Sequence, residues 1–131
     1  MLLKDGECVS KDCMVFSTDA DICFVLGVLN STLAEMFYWT QEKIITLPLT
    51  DEQILAFPIV KGTERQIKTI SDAVNKIVTS KDMDGSSLEK IDETVYAMYG
   101  LSDADIRLTE KIADNSYQRF KQLISSVNNA K

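Results

Sequence analysis

Histidine is absent from the 131-residue chain, so neither imidazole acid–base catalysis nor a cysteine–histidine zinc site can be assembled from its own residues. Cysteine is scarce and odd in number: Cys8, Cys13 and Cys23. An odd count without secretory marks argues against a disulfide framework and reads better as small buried hydrophobes. No apolar run approaches the ~20 residues that span a bilayer. The start, Met1-Leu2-Leu3-Lys4-Asp5, lacks the basic and apolar regions of a secretory signal, so a cytoplasmic protein without membrane contact is expected. The five glycines, Gly6, Gly27, Gly62, Gly85 and Gly100, are too dispersed for a dinucleotide-binding or P-loop fingerprint.

Proline is restricted to Pro48 and Pro58. The Asn/Asp-Pro-Pro-aromatic motif of amino-methyltransferases is therefore excluded, and no Pro-Asp pair opens a nuclease carboxylate motif. Asp82-Met83-Asp84-Gly85 echoes the start of a calcium loop but lacks its remaining ligands, which leaves a polar turn. No catalytic, cofactor-binding or metal-ligating residue is assigned, and the chain by itself is not expected to be an enzyme.

What is present is ordinary for a soluble domain: 45% apolar and 26% charged residues. The net charge is −6, with four basic and nine acidic residues in 1–62 against ten and eleven in 63–131. Beyond Asp114 there is no acid, while Arg119, Lys121 and Lys131 remain. The overall balance argues against strong autonomous binding to duplex DNA, which needs phosphate neutralisation.

Two short strands are expected, Cys13–Ser17 and the segment from Lys43 to Leu49 carrying Ile44, Ile45 and Leu47. Between them, Ile22, Leu26, Leu29, Leu33 and Phe37 recur at spacings that predict one helix from about Asp19 to Tyr38. Thr50-Asp51-Glu52-Gln53 and Thr63-Glu64-Arg65-Gln66 match capping boxes, and Ser86 with Glu89 makes a third. The first opens a helix that Phe57-Pro58 must end. The second starts a stripe of Ile67, Ile70, Val74 and Ile77; the third starts one of Leu88, Ile91, Val95 and Met98 that stops at Gly100. A last helical region from Ser102 carries Ala113, Tyr117, Phe120, Ile124 and Val127 as a short seam, with Asn115-Ser116 as a candidate break. The expected fold class is α+β: a small strand-plus-helix unit over 1–62, then a mainly helical tail over 63–131 whose later stripes pack on Ile67–Ile77, the two forming one compact unit.

Three stretches carry a resemblance. Phe24-Val25-Leu26-Gly27-Val28-Leu29-Asn30-Ser31 resembles the "LLGLLNS" helix of target recognition domains in type II restriction–modification enzymes. Leu49-Thr50-Asp51 through Phe57-Pro58-Ile59 resembles the later "L…L..LPI" turn, and Leu88-Glu89-Lys90-Ile91-Asp92-Glu93-Thr94-Val95-Tyr96 through Tyr99-Gly100-Leu101-Ser102 resembles the "IDELVYELYGLT" tail. The family implied is the TaqI-like C-terminal specificity domain of single-chain restriction enzymes and N6-adenine DNA methyltransferases. The resemblance implies that residues 1–62 are the C-terminal part of a target recognition domain. It also implies that DNA is bound in the context of a larger bacterial protein, with a catalytic methyltransferase domain as neighbour. S-adenosylmethionine belongs to that domain, which this chain lacks, as either an expressed fragment or a truncated reading frame.

Within the motifs, Leu26, Leu29, Leu33, Ile91, Val95 and Tyr96 read as core, and Asn30 and Ser31 as local hydrogen bonders. Base contacts are expected instead on the loop after the first helix, at Thr40, Gln41 and Lys43, since glutamine pairs with adenine and lysine with guanine or phosphate. Two alternatives remain: the specificity subunit of a type I restriction system, and a helical interaction module that homodimerises through the C-terminal helix without touching DNA.

Overall fold

The computed structural model describes residues 18–40, 50–80 and 85–129. Six helices follow in chain order: α1 (Ile22–Leu29), α2 (Thr32–Trp39), α3 (Asp51–Leu55), α4 (Glu64–Ser80), α5 (Ser86–Met98) and α6 (Asp103–Asn129). The fold is helical, with no strand among the described residues. The α+β expectation is corrected accordingly. Its two strand candidates, Cys13–Ser17 and the segment from Lys43 to Leu49, lie outside the described residues.

The single helix expected from Asp19 to Tyr38 is two helices bent by 53°. Asp21 caps α1, accepting from the Phe24 N–H at 3.0 Å. Asn30 ends it, its side-chain amide donating to the Leu26 carbonyl at 2.8 Å. Ser31 then starts α2: its hydroxyl donates to Val28 O at 2.7 Å and accepts from Ala34 N at 3.3 Å. The break changes which face of α1 is buried. Its inward stripe is Cys23, Phe24, Gly27 and Val28, while Ile22 stands exposed. An octapeptide apolar on nearly every side offers no periodicity from which to choose a face.

α1 packs on α4, α4 on α5, and α2 on α6. The α4 stripe Ile67, Ile70, Val74 and Ile77 faces this core as the spacing predicts, with Ile70 completely buried. A Cβ at Gly27 would fall against Ile70 Cγ2 and 3.0 Å from Val74 Cγ2, so glycine is what lets the α1 and α4 backbones approach. From α5 the core receives Ile91, Val95 and Tyr96, whereas Leu88 remains on the surface. α5 packs on α4 as expected, but α6 does not: it buries Thr109 and Ala113 and packs chiefly on α2. It also runs unbroken through Asn115-Ser116. The side chains of Phe120, Ile124 and Val127 lie outside the described set.

Two of the three predicted capping boxes form. Gln53 and Thr50 exchange bonds at 2.8 and 3.3 Å, and Gln66 and Thr63 at 2.9 and 3.2 Å. The third does not, because Gly85 occupies the cap position with φ +82° and no side chain to accept. Gly100, at φ +66°, closes α5 as expected: Leu101 N bonds back to Tyr96 O at 3.1 Å and Gly100 N to Ala97 O at 3.2 Å. No single described helix is long and apolar enough to cross a membrane.

Candidate functional site

A set of polar side chains joins α2, α5 and α6 where they meet. The Asp92 side chain on α5 reaches the first turn of α2, accepting from the Thr32 backbone N–H at 2.7 Å and the Thr32 hydroxyl at 2.6 Å. A helix start has free N–H donors and a partial positive charge, so a carboxylate is the favoured partner there. One turn along α5, Tyr96 is buried, and its hydroxyl donates to Glu110 Oε1 on α6 at 3.4 Å. Burial, with the negative charges of Asp92 and Glu110 beside it, holds the Tyr96 phenol well above its ordinary ionisation range. The phenol therefore remains a donor at neutral pH. Each group in this joint is committed to another, and the chemistry it performs is the fastening of three helices.

A second cluster holds the connection between α2 and α4. The Phe37 and Phe57 rings meet edge-on with centroids 5.2 Å apart, and Tyr38 and Tyr99 close around Phe57 at 6.0 and 5.8 Å. Both phenols grasp backbone. Tyr38 donates to Ile54 O at 3.0 Å. Tyr99 donates to Pro58 O at 2.6 Å and accepts from Val60 N at 3.4 Å. Burial raises the ionisation range of both phenols. The effect is to anchor both flanks of residues 41–49: α2 leads in through Phe37 and Tyr38, and α3 leads out under the same rings.

Thr40 is the C-cap of α2, exposed at its rim, with its hydroxyl donating to Phe37 O at 2.8 Å. Its donor is thus directed into its own helix. Gln41 and Lys43, the other two residues expected to contact DNA, lie outside the described residues. Thr32, Asp92 and Glu110 were not singled out as partners by sequence reasoning. Asp92 lies 60 positions from Thr32, and a spacing of that size carries no local pattern. Cys23 is buried with its thiol 3.5 Å from Asn75 Oδ1, and burial, aided by Asp21, raises its ionisation range. It behaves as the small buried hydrophobe expected. Among the described residues no group of three or more carboxylate and cysteine side chains is placed to hold a metal ion. Set against family models, curated proteins and solved structures, the chain matches none.

Proposed function

We propose that the chain is a DNA target-recognition piece of a bacterial restriction–modification enzyme, acting in the cytoplasm beside a separate catalytic methyltransferase domain that binds S-adenosylmethionine. One observation supports this reading above the rest. The third of the stretches that resemble target-recognition motifs is bonded to the second and to the residue directly after the first. Asp92 of the tail motif holds Thr32, directly after the Asn30-Ser31 end of the first motif. Tyr99 of the same tail holds Pro58 of the second. Stretches recognised separately along the chain thus form one bonded unit, as the parts of a single recognition module must. In this reading the helices are scaffold, and sequence is read by the segment that begins at Thr40, whose flanks the aromatic cluster fixes. Recognition residues concentrate on segments positioned by a rigid scaffold.

Selection of bound duplexes from a randomised DNA pool at low salt tests the proposal. Enrichment of a defined short sequence, lost in a Gln41→Ala, Lys43→Ala variant that retains the wild-type helical spectrum, is the expected result. A pool that stays random after repeated rounds would count against sequence recognition.

A further inference from the structure

α6 is the longest helix, and the side opposite its packed face has an unusual composition. At 3.6 residues per turn, Arg107, Lys111, Gln118, Lys121, Gln122 and Asn129 fall within about a third of its circumference. All six are exposed. The opposite side carries Thr109 and Ala113, buried in the body of the protein. From Arg107 to Asn129 the exposed face runs ~33 Å at 1.5 Å per residue, close to one turn of B-form DNA. Arg107, Lys111 and Lys121 have no ion-pair partner among the described residues; the surface pair there is Lys68 with Asp72 on α4. Asp114 is an acid within the face and Glu110, which accepts from Tyr96, borders it; no acid follows Asp114 to the end of the chain.

We infer that this face of α6 is a phosphate-backbone contact for duplex DNA, a role that rests on the target-recognition reading and adds a grip to it. The chain as a whole carries −6, so its acidic body is repelled by a polyanion and must approach through a surface where cations are free. Lysine and arginine supply the charge, and glutamine and asparagine amides supply neutral donors to phosphate and sugar oxygens. An anionic membrane would attract the same cations, but a surface helix that binds bilayers needs an apolar face to insert, and in the first half of α6 that face is packed against α2. Contacts of this kind position a protein on DNA without reading sequence.

The test is fluorescence anisotropy of the full chain with a labelled duplex, titrated at 50 and 200 mM salt. Three phosphate contacts give a salt slope near −2.7, or a fall of about 40-fold in affinity across that range. Lys121→Gln alone should bring the fall to about 12-fold, equally for every duplex sequence. The triple variant Arg107→Gln, Lys111→Gln, Lys121→Gln should remove nearly all the salt dependence while keeping the wild-type far-ultraviolet spectrum. A triple variant that binds with the wild-type slope overturns the inference. If binding is then lost in the Gln41→Ala, Lys43→Ala variant, the target-recognition reading survives without the α6 grip. Failure of the wild-type chain to bind any duplex at 50 mM removes both. A triple variant that instead converts a sedimenting dimer to monomer identifies the face as a self-association surface and also overturns the inference.

Discussion

Asp92 and Thr32 form a two-point clamp: one carboxylate accepts both the backbone N–H and the hydroxyl of a single residue, at 2.7 and 2.6 Å. The geometry makes Asp92 a cap supplied to α2 by another helix. It adds to the local cap from Ser31, whose oxygen is already occupied by Ala34 N and Val28 O. A clamp that joins elements distant in sequence is a tertiary fastening, and its removal should be felt as global stability.

Asp92→Ala is therefore expected to destabilise the fold by about 2 kcal/mol, from the range for hydrogen bonds to a charged group. Urea unfolding monitored by circular dichroism measures it. Thr32→Val, which keeps the backbone bond and loses the hydroxyl, should cost less. Equal losses in the two variants would show that the clamp is not shared as the distances indicate.

At Gly27 two effects compete. Alanine gains up to about 1 kcal/mol in helix propensity, but its methyl would press on the β-branched side chains of Ile70 and Val74. Overpacking costs typically 1–3 kcal/mol, so Gly27→Ala should lower the melting temperature. A rise would mean that α1 and α4 can separate slightly without penalty.

Tyr99→Phe retains the ring that packs on Phe57 and deletes the bonds to Pro58 O and Val60 N. A loss of about 1 kcal/mol is expected. The sharper readout is amide hydrogen exchange at Val60, which should accelerate well beyond the change at Ile70. Uniform acceleration at both sites would place the effect in global unfolding instead.

Alkaline pH should unfold the protein through its tyrosines. Tyr38, Tyr96 and Tyr99 all ionise at higher pH when folded than the ordinary value of about 10. Below pH 10 folded and unfolded chains hold these protons equally, and the stability is fully present. As pH rises past 10 the unfolded chain releases them first, so stability is lost. Urea midpoints between pH 8 and 11 should be flat and then fall, with a shallower fall in Tyr96→Phe. An unchanged midpoint through pH 11 would contradict the burial of Tyr96 and the partial burial of Tyr38 and Tyr99.

At the acid end the sign reverses. Ser102 hydroxyl and backbone N–H hold Asp105 at the start of α6 and lower its ionisation range. Its contribution is present above the ordinary carboxylate value and fades as pH falls through the folded one. Amide protection in the first turn of α6 should decline at low pH in the wild type and be low at every pH in Asp105→Ala, read by hydrogen exchange.

Much of the helical layout was legible in the residues because its signals are local. The Thr50–Gln53 and Thr63–Gln66 boxes, the stop at Gly100 and the stripe Ile67–Ile77 each depend on neighbours within a turn or two, and each forms as read. The Ser86–Glu89 box fails because Gly85, one residue earlier, takes the left-handed conformation and becomes the cap. The candidate site was less legible. Tyr96 could be recognised as core from its spacing, but neither Asp92 nor Thr32 carries a mark of the other.

Sequence by itself determined the starts of α3 and α4 and the end of α5, since capping groups satisfy donors and carbonyls only a few residues away. It also excluded histidine chemistry and glycine-rich phosphate loops within the chain. Tertiary structure decided the rest. It selected Cys23, Phe24, Gly27 and Val28 as the inner side of an octapeptide apolar all round, because α4 offers a surface that Gly27 alone can approach closely. It set α6 on α2 instead of α4 and brought Asp92 to Thr32. Such pairings are fixed by packing and desolvation between distant segments, and periodicity records which faces are apolar without recording which face meets which.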